Sequence, residues 1–427
     1  MNILYNFFKI KMYFMTYIKQ WIASLIILIS LSIVSSCNTN NSVDYYETNK
    51  VPVVDTYFDN EVIDNYRWLE DDLSADTADW VDNQNTTTFN YLEKIPFREE
   101  LKDRLESLWD YEKISAPFKE GDYTYFFKNS GLQNQRVLYR SSDKTDLEVF
   151  LDPNSFSLDG TTSLAGLSFS KDGTMLAYSI SEGGSDWRKI ITINAETKEL
   201  VEDTIVDVKF SGVSWSYNDG FYYSSYDKPE GSELSGKTDQ HKLYFHKLGT
   251  SQEKDELIFG GTADQKNRYV RGYVSDDDRF LIIDAAKRTS GNKLFIKDLK
   301  DSSEIKPIVD DYSSNTSLID NVGSKLFLVT NHNSPNNKMV TVDFGDLDES
   351  NWKDFISETS FVLSLSKGGG YFFARYMIDA ISKVYQYDYK GKLLREINLP
   401  GIGTASGFSA NNNQKDLYFS FSNYYTP

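Results

Sequence analysis

The residues with most chemical scope in this sequence are three histidines, a single cysteine, a run of three aspartates and the serines. His241 and His246 flank Lys242-Leu243-Tyr244-Phe245, a strand-like run. An odd spacing on a strand sends two side chains to opposite faces, so they make poor partners for one metal ion. The expectation for these histidines is a structural place at the surface or on a sheet edge. Asp276-Asp277-Asp278 resembles a calcium loop in composition, but it falls where acids cap a hairpin without any ion. No metal and no cofactor is expected. A serine nucleophile on a strand-to-helix elbow calls for G-x-S-x-G, and Gly403-Thr404-Ala405-Ser406-Gly407 carries its serine out of place. These residues therefore supply no catalytic group and define no substrate-binding residue.

Cys37 is the only cysteine, so no disulfide can form within the chain. Ahead of it, residues 1–36 hold Lys9, Lys11 and Lys19, no acid, and an apolar run from Trp21 to Val34. That run is short for a membrane span of about 20 residues and has the charge order of a secretory signal. Ile33-Val34-Ser35-Ser36-Cys37 resembles a bacterial lipobox, which implies lipidation of Cys37 as the first mature residue; the alternative is ordinary cleavage nearby. Residues 37–50 read as a polar tether. Loss of the three lysines moves the net charge from −18 to −21. Such an acidic exported chain has no electrostatic affinity for nucleic acid or anionic lipid, leaving the lipid anchor as its membrane contact. The place expected for it is the bacterial cell envelope.

The elements that must position any site come from a repeat. Leu167 to Asn194 reads as an apolar run, the turn Ser170-Lys171-Asp172-Gly173, an aromatic-rich run and an alternating strand. The same order returns around turns near Gly121, Asn218, Asp277, Gly323, Gly368 and Asn412. Copies spaced by roughly 45 to 60 residues, each with several strands, indicate a β-propeller rather than one large sandwich. The predicted fold is mainly β: a seven-bladed propeller over 113–427, its last blade incomplete, with 29 Tyr and 27 Phe crowding the strands that follow the turns. Residues 51–112 break the pattern and read as an N-terminal arm. It starts with an extended stretch containing Pro52. A helix capped by Ser74 follows, running through Trp80, Val81, Phe89 and Leu92. A second helix comes after Pro96, with Leu101, Leu105, Leu108 and Trp109 on one face. Those faces need cover from a propeller rim or from a further domain.

Several stretches resemble the prolyl oligopeptidase family of serine peptidases. In the arm they are Tyr66-Arg67-Trp68-Leu69-Glu70, Trp80-Val81 with Asn83-Gln84-Asn85, and Tyr91-Leu92-Glu93. In the repeats they are Gly131 to Tyr139, Leu151 to Leu164, Gly184-Ser185-Asp186-Trp187, Lys209 to Tyr226 and His241 to Phe259. Asn65 and Asp278 depart from the family's usual proline and turn glycine. The resemblance implies a propeller covering an α/β-hydrolase domain that supplies Ser, Asp and His, and short peptides cleaved after proline as substrates. No residue of this chain takes those three roles, so the hydrolase domain is expected to be a missing partner and the chain alone inactive. A stand-alone propeller lipoprotein that binds peptide or glycan is the other reading. Replacing Cys37 by alanine should move the protein from the membrane fraction to the soluble one; unchanged membrane association on fractionation would refute lipidation.

Overall fold

The computed structural model describes residues 43, 45–143, 145–229, 234, 236–301 and 304–425, so Cys37 and the signal-like segment lie outside the described residues. The chain divides into two compact units between Glu100 and Leu101.

In the first unit the arm is less extended than its sequence suggests. Val53–Tyr57 and Asn60–Asp64 pair as an antiparallel hairpin. Its turn residues Phe58 and Asp59 both have positive φ, at 50° and 63°. Two left-handed residues suit a tight hairpin, but phenylalanine there carries no sequence signal. Arg67 ties the hairpin down through Asp55 and Asp64. Helix α1 (Ala75–Leu92) starts where expected, with Ser74 Oγ accepting from the Asp76 amide. Trp80 Nε1 donates to Thr48 Oγ1 at 2.9 Å and fixes the preceding chain against the helix. Helix α2 (Arg98–Trp109), which runs across the division, begins two residues beyond Pro96, which sits in the connecting turn rather than the first helical turn. Leu101, Leu105, Leu108 and Trp109 are exposed along it.

The second unit contains the repeats. Six sheets of four strands or more follow one another in chain order, and a two-stranded sheet comes last. They are six complete blades and an unfinished seventh. Blade 1 is built on Phe118–Glu120, Tyr123–Asn129, Val137–Ser142 and Thr145–Leu151, with Lys113–Ile114 also pairing on Tyr123–Asn129. Blades 2 to 6 begin at Thr162, Ser214, Tyr269, Thr316 and Ser364. Blade 7 consists of Thr404–Gly407 and Phe419–Ser422. Every turn singled out by the repeat joins the first two strands of its blade.

Strand alternation explains why the sheets stack. In blade 4, Phe280 and Ile282 pack with Leu326 and Leu328 of blade 5, while Leu281, Ile283 and Ala285 pack with Leu243 of blade 3. In blade 5 the same strand position sends Leu326 and Leu328 back and Phe327 forward onto Phe372 of blade 6. Period-two side chains thus cover both faces of each sheet. Each large side chain buried this way contributes about 1.5–3 kcal/mol.

The turns are conformationally demanding. Gly121, Gly173, Asp278 and Gly323 all have φ between 56° and 74°. Asp278 therefore occupies a position that would suit glycine, and aspartate is one of the few other residues that tolerate it. A Cβ on Gly173 would lie 2.4 Å from the Gly121 backbone nitrogen in the neighbouring blade. Gly173→Ala should lower stability by about 1–3 kcal/mol in denaturant unfolding; an unchanged midpoint would mean that the two turns separate freely.

Candidate functional site: the charged mouth of the propeller

The turns between first and second strands converge, and they carry a repeated polar device. Ser170 Oγ and the Thr174 amide donate to Asp172, whose other oxygen accepts from Asn218 of the next blade at 2.6 Å. Two blades on, Ser275 Oγ and the Arg279 amide donate to Asp277, which accepts from Asn321 of its own next blade at 2.8 Å. Burial alone would raise both carboxyls, but these hydrogen bonds hold Asp172 and Asp277 below the usual aspartate range. Asp277 acts as a hairpin cap and interblade acceptor, as the composition of its turn suggested.

Two lysines span the space that these turns surround. Lys171 of blade 2 reaches blade 4, donating to the Ser275 carbonyl at 3.2 Å with Asp278 at 4.0 Å. From blade 6, Lys367 lies 2.7 Å from Asp276 of blade 4 and 2.8 Å from Asp320 of blade 5. Asp320, with its side chain only 2% exposed, also accepts from the Tyr389 hydroxyl and from Asn412 Nδ2 of blade 7 at 3.0 Å. Glu120 of blade 1 completes the set. Its burial pushes the carboxyl up to about 7 despite the pull of Lys171. Asp278 is likewise raised by burial. Two adjoining cavities of ≈ 370 and 940 Å³ open here, sharing Glu120, Lys171, Asp276, Asn411 and Asn413. The Asp276–Asp278 run thus points its three carboxylates at three different partners, and it forms no calcium cage. Among the described residues no cluster of histidine, cysteine and carboxylate could hold a metal.

The histidines correct the sequence expectation. His241 and His246 are fully buried, not at the surface. His241 stacks on Tyr226 with ring centroids 4.4 Å apart, and its two nitrogens bond the Lys209 carbonyl and the Val270 amide. Burial lowers it to about 4, so it is neutral. His246 sits between Asp255 and Glu202. His332 contacts Glu349 and Asn333. All three are committed elsewhere than to a serine. Ser406 lies in the first strand of blade 7, opposite Ser420, and not on a strand-to-helix elbow. Trp187 is packed under the Lys209 ammonium, 4.9 Å from the ring, within its own sheet.

The sequence matches the description "Prolyl oligopeptidase, N-terminal beta-propeller domain" over residues 45–427. The chain belongs to the prolyl oligopeptidase family. The prolyl endopeptidase of Elizabethkingia miricola is 56% identical over 393 residues, covering 92% of this chain and 56% of that protein. The prolyl oligopeptidase A of Galerina marginata is 32% identical, over 81% of this chain and 52% of its own. Among solved structures, prolyl oligopeptidase B from Galerina marginata bound to a 25mer macrocyclization substrate superposes with a TM-score of 0.77 at 28% identity, covering 89% of this chain and 57% of that one. Oligopeptidase B from Leishmania major shares the fold at 14% identity and a TM-score of 0.69. The chain spans a little over half the length of these relatives.

Within this prolyl oligopeptidase propeller, Glu120, Lys171, Lys367 and Asp320 escaped the sequence reading. A signal was present: a charged residue leads into the turn in blade 1 (Glu120), blade 2 (Lys171), blade 4 (Asp276) and blade 6 (Lys367). Lys367→Met removes the only ammonium that, among the described residues, pairs with the buried Asp320 carboxylate. It should cost about 1–3 kcal/mol, because one charge is left buried without its counter-charge. A denaturant midpoint equal to wild type would show that Tyr389 and Asn412 suffice.

Proposed function

We propose that this chain is the arm and propeller portion of an exported, lipid-anchored prolyl oligopeptidase that cleaves short peptides after proline. The family membership over residues 45–427 carries this reading, together with relatives named as prolyl endopeptidases. In it, residues 1–36 direct export, Cys37 takes the lipid in the bacterial cell envelope, 37–50 form a tether and 51–112 the arm. Catalysis belongs to an α/β-hydrolase domain, the partner of this chain, where serine attacks the scissile carbonyl with histidine as base and aspartate as its orienting group.

The propeller's part is to admit and confine. Lys171 and Lys367 cross the mouth to carboxylates of other blades, so a folded protein substrate meets a polar, occupied surface there. Only a short, flexible chain can exchange its own charges with those pairs. With each histidine already bonded to other groups, the described residues hold no serine–histidine pair to attack a peptide. The purified chain should therefore leave prolyl peptide substrates intact and take up no serine-directed phosphonate by mass spectrometry. Stoichiometric labelling would overturn the division of labour.

A further inference from the structure

The group that the mouth and the peptidase reading leave unused is buried at the seam between blades 2 and 3. His246, on the third strand of blade 3, has Nδ1 2.7 Å from Asp255 Oδ1 and Nε2 3.1 Å from Glu202 Oε2. Asp255 belongs to the same blade, just before Glu256–Phe259, whereas Glu202 comes from the connection between the last two strands of blade 2. All three side chains are at most 4% exposed. A neutral imidazole has one N–H, so it can satisfy one of these carboxylates and must turn a lone pair toward the other. Only the imidazolium donates to both.

The surroundings sharpen the requirement. The Tyr223 hydroxyl donates to the second Asp255 oxygen at 2.7 Å and is within 3.4 Å of Gln252 Nε2. The Gly249 amide donates to Glu202 Oε2 at 2.9 Å. Phe221 packs on the imidazole with centroids 5.2 Å apart, and Tyr244 stacks on Tyr223. Burial opposes ionisation of Glu202, but His246, the Gly249 amide and the Thr192 hydroxyl buried beside it hold that carboxyl below the usual glutamate range. Among the described residues the ion pairs of both carboxylates are with His246, and no lysine or arginine pairs with either. Phe221 and Tyr223 also belong to the apolar cluster that joins these two blades.

We infer that Glu202, His246 and Asp255 form a proton-dependent clasp that tightens the seam between blades 2 and 3 while the imidazole is charged and loosens it when it is not. Burial opposes the charge, but hydrogen bonds to Asp255 and Glu202 outweigh it and raise His246 to about 9 from an ordinary 6.5. Its folded value lies above its unfolded one. The imidazolium's share of the clasp is therefore at full strength below about 6.5 and is lost as pH rises through about 9. The seam would be firmest near neutral pH, because the depressed carboxyl of Glu202 must also stay ionised and is neutralised as the pH falls.

The test is an NMR titration of the imidazole nitrogens in the full chain labelled at histidine, with His241 and His332 assigned by single substitution. His246 should be a doubly protonated imidazolium at neutral pH, with a midpoint near 9. A neutral tautomer at neutral pH, or a midpoint at or below 6.5, overturns the inference. Glu202→Gln supplies an amide N–H to the bare nitrogen and so accepts a neutral ring. Its midpoint should fall by about one unit or more, a tenfold loss of proton affinity. The wild-type melting temperature should drop across the same alkaline window, and the variant's should drop less. Equal alkaline losses in both would also refute the clasp. If the variant does not fold, the wild-type titration decides alone.

Discussion

Every blade is a sheet with two apolar faces, and such a sheet is stable only when both faces are covered. A blade in isolation would leave residues such as Leu281 and Ile283 on one side, and Phe280 and Ile282 on the other, in water. The strict alternation of strand side chains ties the two faces together, because a slip of one residue would exchange them. Neighbouring blades are therefore obligatory partners, and the polar features of the molecule are arranged around that requirement. The serine–aspartate turns pin register at the inner edge of blades 2 and 4. Asparagines of the next blade then reach these turns and lock adjacent inner strands together.

Charge is used in two different settings. At the mouth the pairs of Lys171 with Asp278 and Lys367 with Asp276 meet partly in solvent, where each is worth little, and only Lys367 with the buried Asp320 is an exception. At the seam of blades 2 and 3 the groups are dry, and a single missing proton would change the local balance far more. Both settings join residues distant in sequence: Lys171 with Asp278, Lys367 with Asp276, and His246 with Glu202. The electrostatics thus record the ring, whereas the apolar pattern records only the blade.

That difference explains what could be read from the sequence. Turn chemistry and period-two strands are local signals, and they place every blade and its first hairpin. Ser74 and its helix were equally local. Family motifs then identified the propeller as that of a prolyl oligopeptidase. The burial of His246 could not be read, because its carboxylate partner Glu202 is 44 residues away and belongs to another blade. A strand bearing His-x-x-x-x-His gives no sign of which side meets a buried acid. The arm hairpin was missed for the opposite reason: its turn puts Phe58, a residue with poor left-handed propensity, in the left-handed region ahead of Asp59. The mouth was half visible, as charges before turns whose convergence only the closed ring reveals.

One seam differs from the rest. Successive blades from 1 to 7 share buried apolar clusters, down to Phe373 and Val384 against Ala405 and Phe408. Between blades 7 and 1 the described residues offer instead a cavity of ≈ 940 Å³ and a hydrogen bond from Gln414 to the Lys119 carbonyl, 295 residues apart. The ring is thus built as a chain of nearest-neighbour contacts whose ends meet. In kinetic terms, each new blade docks on one already formed next to it in sequence, so the loop entropy of each step stays small. Joining the ends is the one step that spans the whole ring, so it carries the largest loop-closure cost of any seam.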